Sequence, residues 1–361
     1  MKTLKLIIPV LLVLVVLTSR SVCAETVWQD CTRLAAEGNI MLEGKGWTDL
    51  LYDRLPAKAE GKVTPAVWGL SHDSAGMCFR FETDAETLQV RWTLTKTSLA
   101  MPHMPATGVS SVDLYVKAAD GRWLFLPRKF GEGVIGTSST FVLPAGRKAC
   151  VLYLPLYNGI KSIELGVPEG RTFSKIHETR SKPVVVYGTS IAQGGCASRP
   201  GLAWIAIAGR NLDVPMINLG FSGSGKMEME MADLLGELDP SVYVLDCLWN
   251  MSPDMVSERM EPFVKRLRSL RPDVPILLVE EGSFQNVSPT AKGKLLRSIY
   301  EKLQAEGVGN LHFLSNEGML GEDGEGTVDG LHPNDLGMMR EAQTVEKALR
   351  GILNPQPKKA P

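Results

Sequence analysis

Four short stretches carry residue types suited to acyl transfer. GTSIAQGG (188–195) presents Ser190 in a small polar turn after an apolar run, and NLGFSGSG (218–225) presents Gly220 after another. DCLWN (246–250) ends in Asn250, and DGLHPND (329–335) places Asp329 three residues before His332. A serine hydroxyl attacks a carbonyl well only when a base takes its proton. His332 is the available base, because imidazole titrates near neutral pH. One turn of chain brings the Asp329 carboxylate to the other ring nitrogen, where it fixes the tautomer and stabilises the imidazolium. The attacked carbonyl becomes an oxyanion that needs preorganised donors. Candidates are the backbone N–H of Ser190, the backbone N–H of Gly220 and the side-chain amide of Asn250.

Each residue also has a plainer reading. Ser190 suits a helix cap, Gly220 a simple turn, and Asn250 the cap of a helix starting near Pro253. Asp329 and His332 suit a turn and a helix start before Pro333, and Asp246 reads as a strand-end cap rather than a catalytic acid. Position favours the chemical reading. In an open parallel sheet, ligands bind beyond the carboxyl ends of the strands, and the Ser190, Gly220 and Asn250 stretches each follow an apolar run.

Rival motifs fail on spacing. GTSIAQGG lacks the Lys-Ser/Thr ending of a phosphate-binding loop, no GxGxxG follows a strand, and Ala192 stands where a GxSxG elbow needs glycine. Glu280 and Glu281 are neighbours on one strand and point to opposite faces, which rules out a paired-carboxylate glycosidase. Among the other histidines, His103 in the Pro-rich loop MPHMPATG is the candidate to face the site. His72 lies in the sandwich half and His177 in the connector, and His312, in a strand, reads as a core or edge residue.

The elements that position these residues fall into two textures. From 25 to about 176, runs such as MCFRFET (77–83), LQVRWTL (88–94) and KACVLYLPL (148–156) alternate with a period near two. That pattern predicts antiparallel sheets packed as a sandwich, with helical periodicity only near 31–37. After Lys182-Pro183, continuous apolar strands alternate with helical segments, which predicts a doubly wound α/β fold with a five-stranded parallel sheet. The expected division is a signal peptide over 1–24, a β-sandwich over 25–178, a catalytic α/β domain over 179–353 and a disordered tail over 354–361.

The first 24 residues combine a basic start, the apolar run LIIPVLLVLVVL and small residues at Val22-Cys23-Ala24, the form of a secretory leader. The run is shorter than the ~20 residues of a spanning helix, and Arg20-Ser21-Val22 is a poor context for lipidation of Cys23. An exported protein without stable membrane insertion is the expectation. Without the leader, 36 basic side chains face 40 acidic ones, which argues against a nucleic-acid partner. Five cysteines remain, with neither CxxC nor zinc spacing, so no metal or other cofactor is expected.

The four blocks resemble those of the SGNH (GDSL-like) hydrolase superfamily over about 183–353. Ser190, Gly220, Asn250 and His332 take the positions of its four functional residues. The resemblance implies a flavodoxin-like sheet. The Ser block opens G-T-S rather than G-D-S, and DCLWN replaces the common Gly-x-Asn-Asp form. MPATGVSSVDLYVK (104–117) resembles the GxDLY module that precedes such hydrolases in secreted bacterial proteins, with Ser111 in place of its glycine and Asp113, Leu114 and Tyr115 matching. Relatives of this plan include carbohydrate esterases, so the implied activity is removal of small acyl groups, acetyl first, from a glycan. Alternatives are a non-catalytic glycan binder, using aromatic residues around 79–92 and 115–130, and a lipase or thioesterase acting on longer acyl chains.

Overall fold

The computed structural model describes residues 25–129, 135, 137–176, 181–283, 285 and 287–354. The leader, His177, the expected 178/179 boundary and residues 355–361 lie outside the described residues.

The N-terminal half is built from β1 (Thr26–Asp30), β2 (Met41–Glu43), β3 (Cys78–Thr83), β4 (Thr87–Leu94), β5 (Asp113–Lys117), β6 (Trp123–Leu126), β7 (Ser138–Val142), β8 (Lys148–Tyr153), β9 (Ile160–Pro168) and β10 (Phe173–Ser174). They form two antiparallel sheets. One has the order β1-β9-β4-β7; the other has β10-β3-β8-β5-β6, with β2 added on β3. The period of two is literal in β4, where Leu88, Val90 and Trp92 are buried and Arg91 and Thr93 are exposed. These buried residues meet Phe79, Phe81, Leu114 and Leu152 of the other sheet in one core. Phe79, Phe81 and Trp92 are therefore packing residues, not a glycan platform.

Among the described residues, three α-helices interrupt this half: α1 (Cys31–Ala36), α2 (Pro65–Ser71) and α3 (Ala106–Val109). Only the first has a counterpart in the sequence reading. The second carries signals of its own, with Thr64 accepting from the Val67 N–H and Pro65 at the first helical position. It belongs to the long connection between β2 and β3, which leaves the sandwich. Leu55, Ala59, Val63 and Val67 from this connection pack with Val185, Tyr187 and Leu219 of the C-terminal half.

The C-terminal half contains β11 (Val184–Gly188), β12 (Met216–Gly220), β13 (Val242–Asp246), β14 (Ile276–Val279) and β15 (Leu311–Leu314), all parallel in the order β12-β11-β13-β14-β15. Between and after them run α4 (Ser190–Gln193), α5 (Trp204–Leu212), α6 (Met229–Leu235), α7 (Pro253–Leu270), α8 (Ala291–Ala305) and α9 (Asp335–Leu353). All five residues of β11 are buried, because the sheet is covered on both faces. Val185 and Tyr187 point into a core with Leu235, Phe263 and Leu303; Val184 and Val186 point into one with Ile205, Ala208, Val345 and Leu349. Gly188 pairs in register with Gly220 on one side and Asp246 on the other. The carboxyl ends of three strands are thus level, and the turns after them open on one edge.

Candidate active site

Ser190 is the first residue of α4 and is 7% exposed. It does not cap the helix. Thr189 does, accepting from the Ile191 N–H, so the Ser190 side chain is left for other work. The Ser190 carbonyl accepts from Gly194 N–H, Gly195 N–H and Tyr157 Oη, the last at 3.1 Å. As the first residue of a helix, Ser190 has an N–H with no acceptor inside that helix.

Ser190 Oγ lies 2.9 Å from His332 Nε2, and His332 Nδ1 lies 2.8 Å from Asp329 Oδ2. Asp329 Oδ1 accepts from the backbone N–H groups of His332 and Leu331, at 2.7 and 3.0 Å. The carboxylate therefore shapes the turn and orients the ring with different oxygens. Beyond it, Asn334 caps α9 by accepting from Leu336 N–H and Gly337 N–H. Burial works against the Asp329 charge, but hydrogen bonds from the His332 backbone and ring and from Leu331 outweigh it and hold the carboxyl down at about 2.

Gly220 requires a correction. Its N–H, expected to face the oxyanion, instead donates to Asn218 Oδ1 at 2.9 Å. The absence of a side chain at this position serves packing, since a Cβ would stand 2.2 Å from the Gln193 backbone nitrogen. The following N–H groups can be accounted for one by one. Phe221 donates to the Gly188 carbonyl, Ser222 to Gln193 Oε1, and Ser224 to the Phe221 carbonyl. Gly223 N–H has no acceptor among the described residues. Gly223 also has φ +66°, and a Cβ there would meet open space. Gly223 N–H is the candidate donor that the sequence reading missed. The available clue was Asn218, whose short amide side chain reaches the N–H two residues on.

Asn250 ends a single 3₁₀ turn, Leu248–Asn250, while Ser252 caps α7. Asn250 Nδ2 donates to the Ser224 carbonyl at 2.5 Å, leaving its second amide hydrogen for a ligand. Asp246 does not cap through backbone hydrogen bonds as expected: its Oδ1 accepts from Trp249 Nε1 at 3.0 Å. Its Oδ2 has no partner among the described residues. Burial raises the Asp246 carboxyl well above the usual range, with the Glu281 charge adding to it; Glu341 on α9 is raised by burial and by Asp246. Glu280 and Glu281 hold the start of α8, accepting from Thr290 N–H and Thr290 Oγ1.

His103, from the N-terminal half, is exposed with its ring centroid 5.8 Å from that of His332. Its loop is held by reciprocal hydrogen bonds between Met101 and Met104 and by Thr107 Oγ1 donating to the Ser198 carbonyl at 2.5 Å. His72 pairs with Asp53, and His312 lies on β15. Among the described residues the five cysteines are buried and form no disulfide. Among the described residues, no group of His, Cys, Asp or Glu is arranged to hold a metal, and no helix is long and apolar enough to cross a membrane.

Comparison with known proteins gives two family matches, GDSL-like Lipase/Acylhydrolase family over residues 181–350 and N-terminus of Esterase_SGNH_hydro-type over 26–173. A search of the curated proteins found no match. Among solved structures, a Bacteroides ovatus ATCC 8483 protein described as a GDSL-like lipase is 33% identical with a TM-score of 0.81, covering 93% of this chain and 100% of that one. Two more distant ones share the fold. A salicylyl-acyltransferase from a tetracycline biosynthetic pathway is 21% identical, with a TM-score of 0.71, over 93% and 100% of the chains. A family two carbohydrate esterase from Cellvibrio japonicus is 12% identical, with a TM-score of 0.59, over 92% and 99%. The chain belongs to the GDSL-like lipase/acylhydrolase family and is an SGNH-type esterase or acylhydrolase.

Proposed function

We propose that this protein is an exported serine esterase that removes small acyl groups, acetyl first, from a carbohydrate. The observation that carries the chemistry is the unbroken chain from Ser190 Oγ through His332 to Asp329. His332 Nε2 takes the hydroxyl proton as Oγ adds to the ester carbonyl carbon. The resulting oxyanion meets the N–H groups of Ser190 and Gly223 and the free amide hydrogen of Asn250. Collapse breaks the bond to the sugar oxygen, which leaves with the proton from His332. Water then gives a proton to His332 and adds to the acyl carbon, releasing the carboxylic acid and restoring Ser190.

Two features support the substrate class: the leader-like first 24 residues and the likeness of fold to a carbohydrate esterase. A second reading is hydrolysis of longer acyl chains, favoured by the exposed apolar residues Val328, Leu331 and Leu336 flanking His332. Turnover of p-nitrophenyl acetate and octanoate by wild type and Ser190→Ala tests both. Equal rates from the two proteins would remove the serine mechanism, and faster octanoate turnover would replace the short-chain assignment. Acetate release from a panel of acetylated polysaccharides then identifies the glycan. Retention of a glycan by Ser190→Ala with no turnover by wild type would instead mark a binding protein.

A further inference from the structure

Arg54 is a fully buried cation without a direct carboxylate partner on its guanidinium among the described contacts. It sits in the connection between β2 and β3, and its donors go to main-chain carbonyls. Nε donates to Asp73, Nη2 to Leu70 at 2.7 Å, and Nη1 to Gly220. The guanidinium also lies 4.7 Å from the centroid of the Phe221 ring. A buried charge is costly unless hydrogen-bonded throughout, and here its bonds reach the loop that carries the free Gly223 N–H.

The peptide between Gly220 and Phe221 is held from both sides, its carbonyl by Arg54 and its N–H by the Gly188 carbonyl at 3.0 Å. The next N–H, of Ser222, is held by Gln193 Oε1, whose amide nitrogen donates to Asp73 Oδ2 and to the Leu156 carbonyl. Lys96 Nζ pairs with the buried Asp73. From the same half, Tyr157 Oη donates to the Ser190 carbonyl at 3.1 Å. Two residues of the N-terminal half thus grip the two active-site turns by their carbonyl oxygens.

We propose that Arg54 and Tyr157 are positioning residues of the esterase reaction: Arg54 sets the loop that aims the Gly223 N–H, and Tyr157 sets the turn that carries Ser190. The proposal rests on the serine mechanism above. A misplacement of 1 Å in such a constellation costs about 10²-fold in rate, so these contacts should be read in turnover rather than substrate binding.

The test uses the full chain with Arg54→Lys, Arg54→Met and Tyr157→Phe. Ile163→Val, a small change in the sandwich core, serves as a stability control. Each folded protein is assayed for kcat and KM on p-nitrophenyl acetate, for Tm, and for inhibition by a boronic acid that forms a tetrahedral adduct with serine. Arg54→Lys is expected to lose about tenfold or more in kcat, with KM within about twofold and boronate affinity falling in parallel. Tyr157→Phe should show the same pattern at several-fold. Ile163→Val should lower Tm alone. Unchanged kcat and boronate affinity in folded Arg54→Lys would overturn the proposal, as would an equal kcat loss in Ile163→Val. Should neither Arg54 variant fold, Tyr157→Phe decides by the same criteria. A wild type without turnover would instead remove the serine mechanism.

Discussion

His332 and Asp329 are joined twice, ring Nδ1 to Oδ2 at 2.8 Å and backbone N–H to Oδ1 at 2.7 Å. The three-residue spacing therefore builds the orienting contact and the turn beneath it from a single carboxylate. In the proposed mechanism it orients, whereas Ser190 and His332 make and break bonds. Ser190→Ala and His332→Ala should each lower kcat by roughly 10⁵–10⁶, and Asp329→Asn by only about 10³–10⁴. Steady-state kinetics on p-nitrophenyl acetate checks the ranking, and an Asp329→Asn loss as large as that of Ser190→Ala would contradict it.

The two glycines of NLGFSGSG should respond to alanine differently. Gly220→Ala drives a Cβ to within 2.2 Å of the Gln193 backbone nitrogen, so this variant should fold poorly. Gly223→Ala meets no atoms but keeps a positive φ, a strain of about 1–2 kcal/mol, so it should fold with a reduced Tm. Asn250→Ala should keep its fold and KM while losing roughly 10²–10³ in kcat. Thermal melts and kinetics on the three variants check these outcomes.

Two carboxylates give pH dependences of opposite sign. Asp329 is held at about 2, below the ordinary value of about 3.9. Its contribution to stability is present above about pH 4 and lost as pH falls through 2. Asp246 is raised by burial, so the folded state binds a proton that the unfolded chain releases above about pH 4. Stability therefore falls as pH rises toward the raised value. Asp246→Asn keeps the oxygen that accepts from Trp249 and should flatten the decline in Tm between pH 5 and 8. An unchanged slope would show that Asp246 is ionised in the folded protein.

His103 stands beside His332 without touching Ser190 in the hydrogen-bond network. His103→Ala should leave p-nitrophenyl acetate turnover within about threefold of wild type, and raise KM more strongly on an acetylated saccharide large enough to reach past His332. Equal effects on both substrates would assign His103 to the general architecture of the loop.

The sequence was most legible where one period or one short spacing decides the outcome. The alternation in β4 and the continuous apolar run of β11 predict their sheets directly. Asp329-x-x-His332 predicts its own geometry because both partners lie within one turn. Less legible were contacts set by chain segments distant in sequence. Leu55 and Val67 read as part of the sandwich region, but their apolar partners are Val185 and Tyr187. Gly220 looked like the oxyanion donor because the residue taking its N–H is a polar side chain inside an apolar strand. Arg54 gave no signal at all, since a lone arginine in a loop is ordinarily solvated.

The connection bearing Leu55, Ala59, Val63 and Val67 also bears on how the chain acquires its structure during synthesis. Residues near 60 leave the ribosome before their apolar partners near 185 and 219 have been polymerised. Among the described residues the sandwich strands end at Ser174, so the apolar partners of this connection lie outside the sandwich's own stretch of chain. The connection's final seat forms only when the parallel sheet assembles. Arg54 in the same connection donates to the Gly220 carbonyl, so the segment that joins the two halves is also the one that completes the loop beside Ser190.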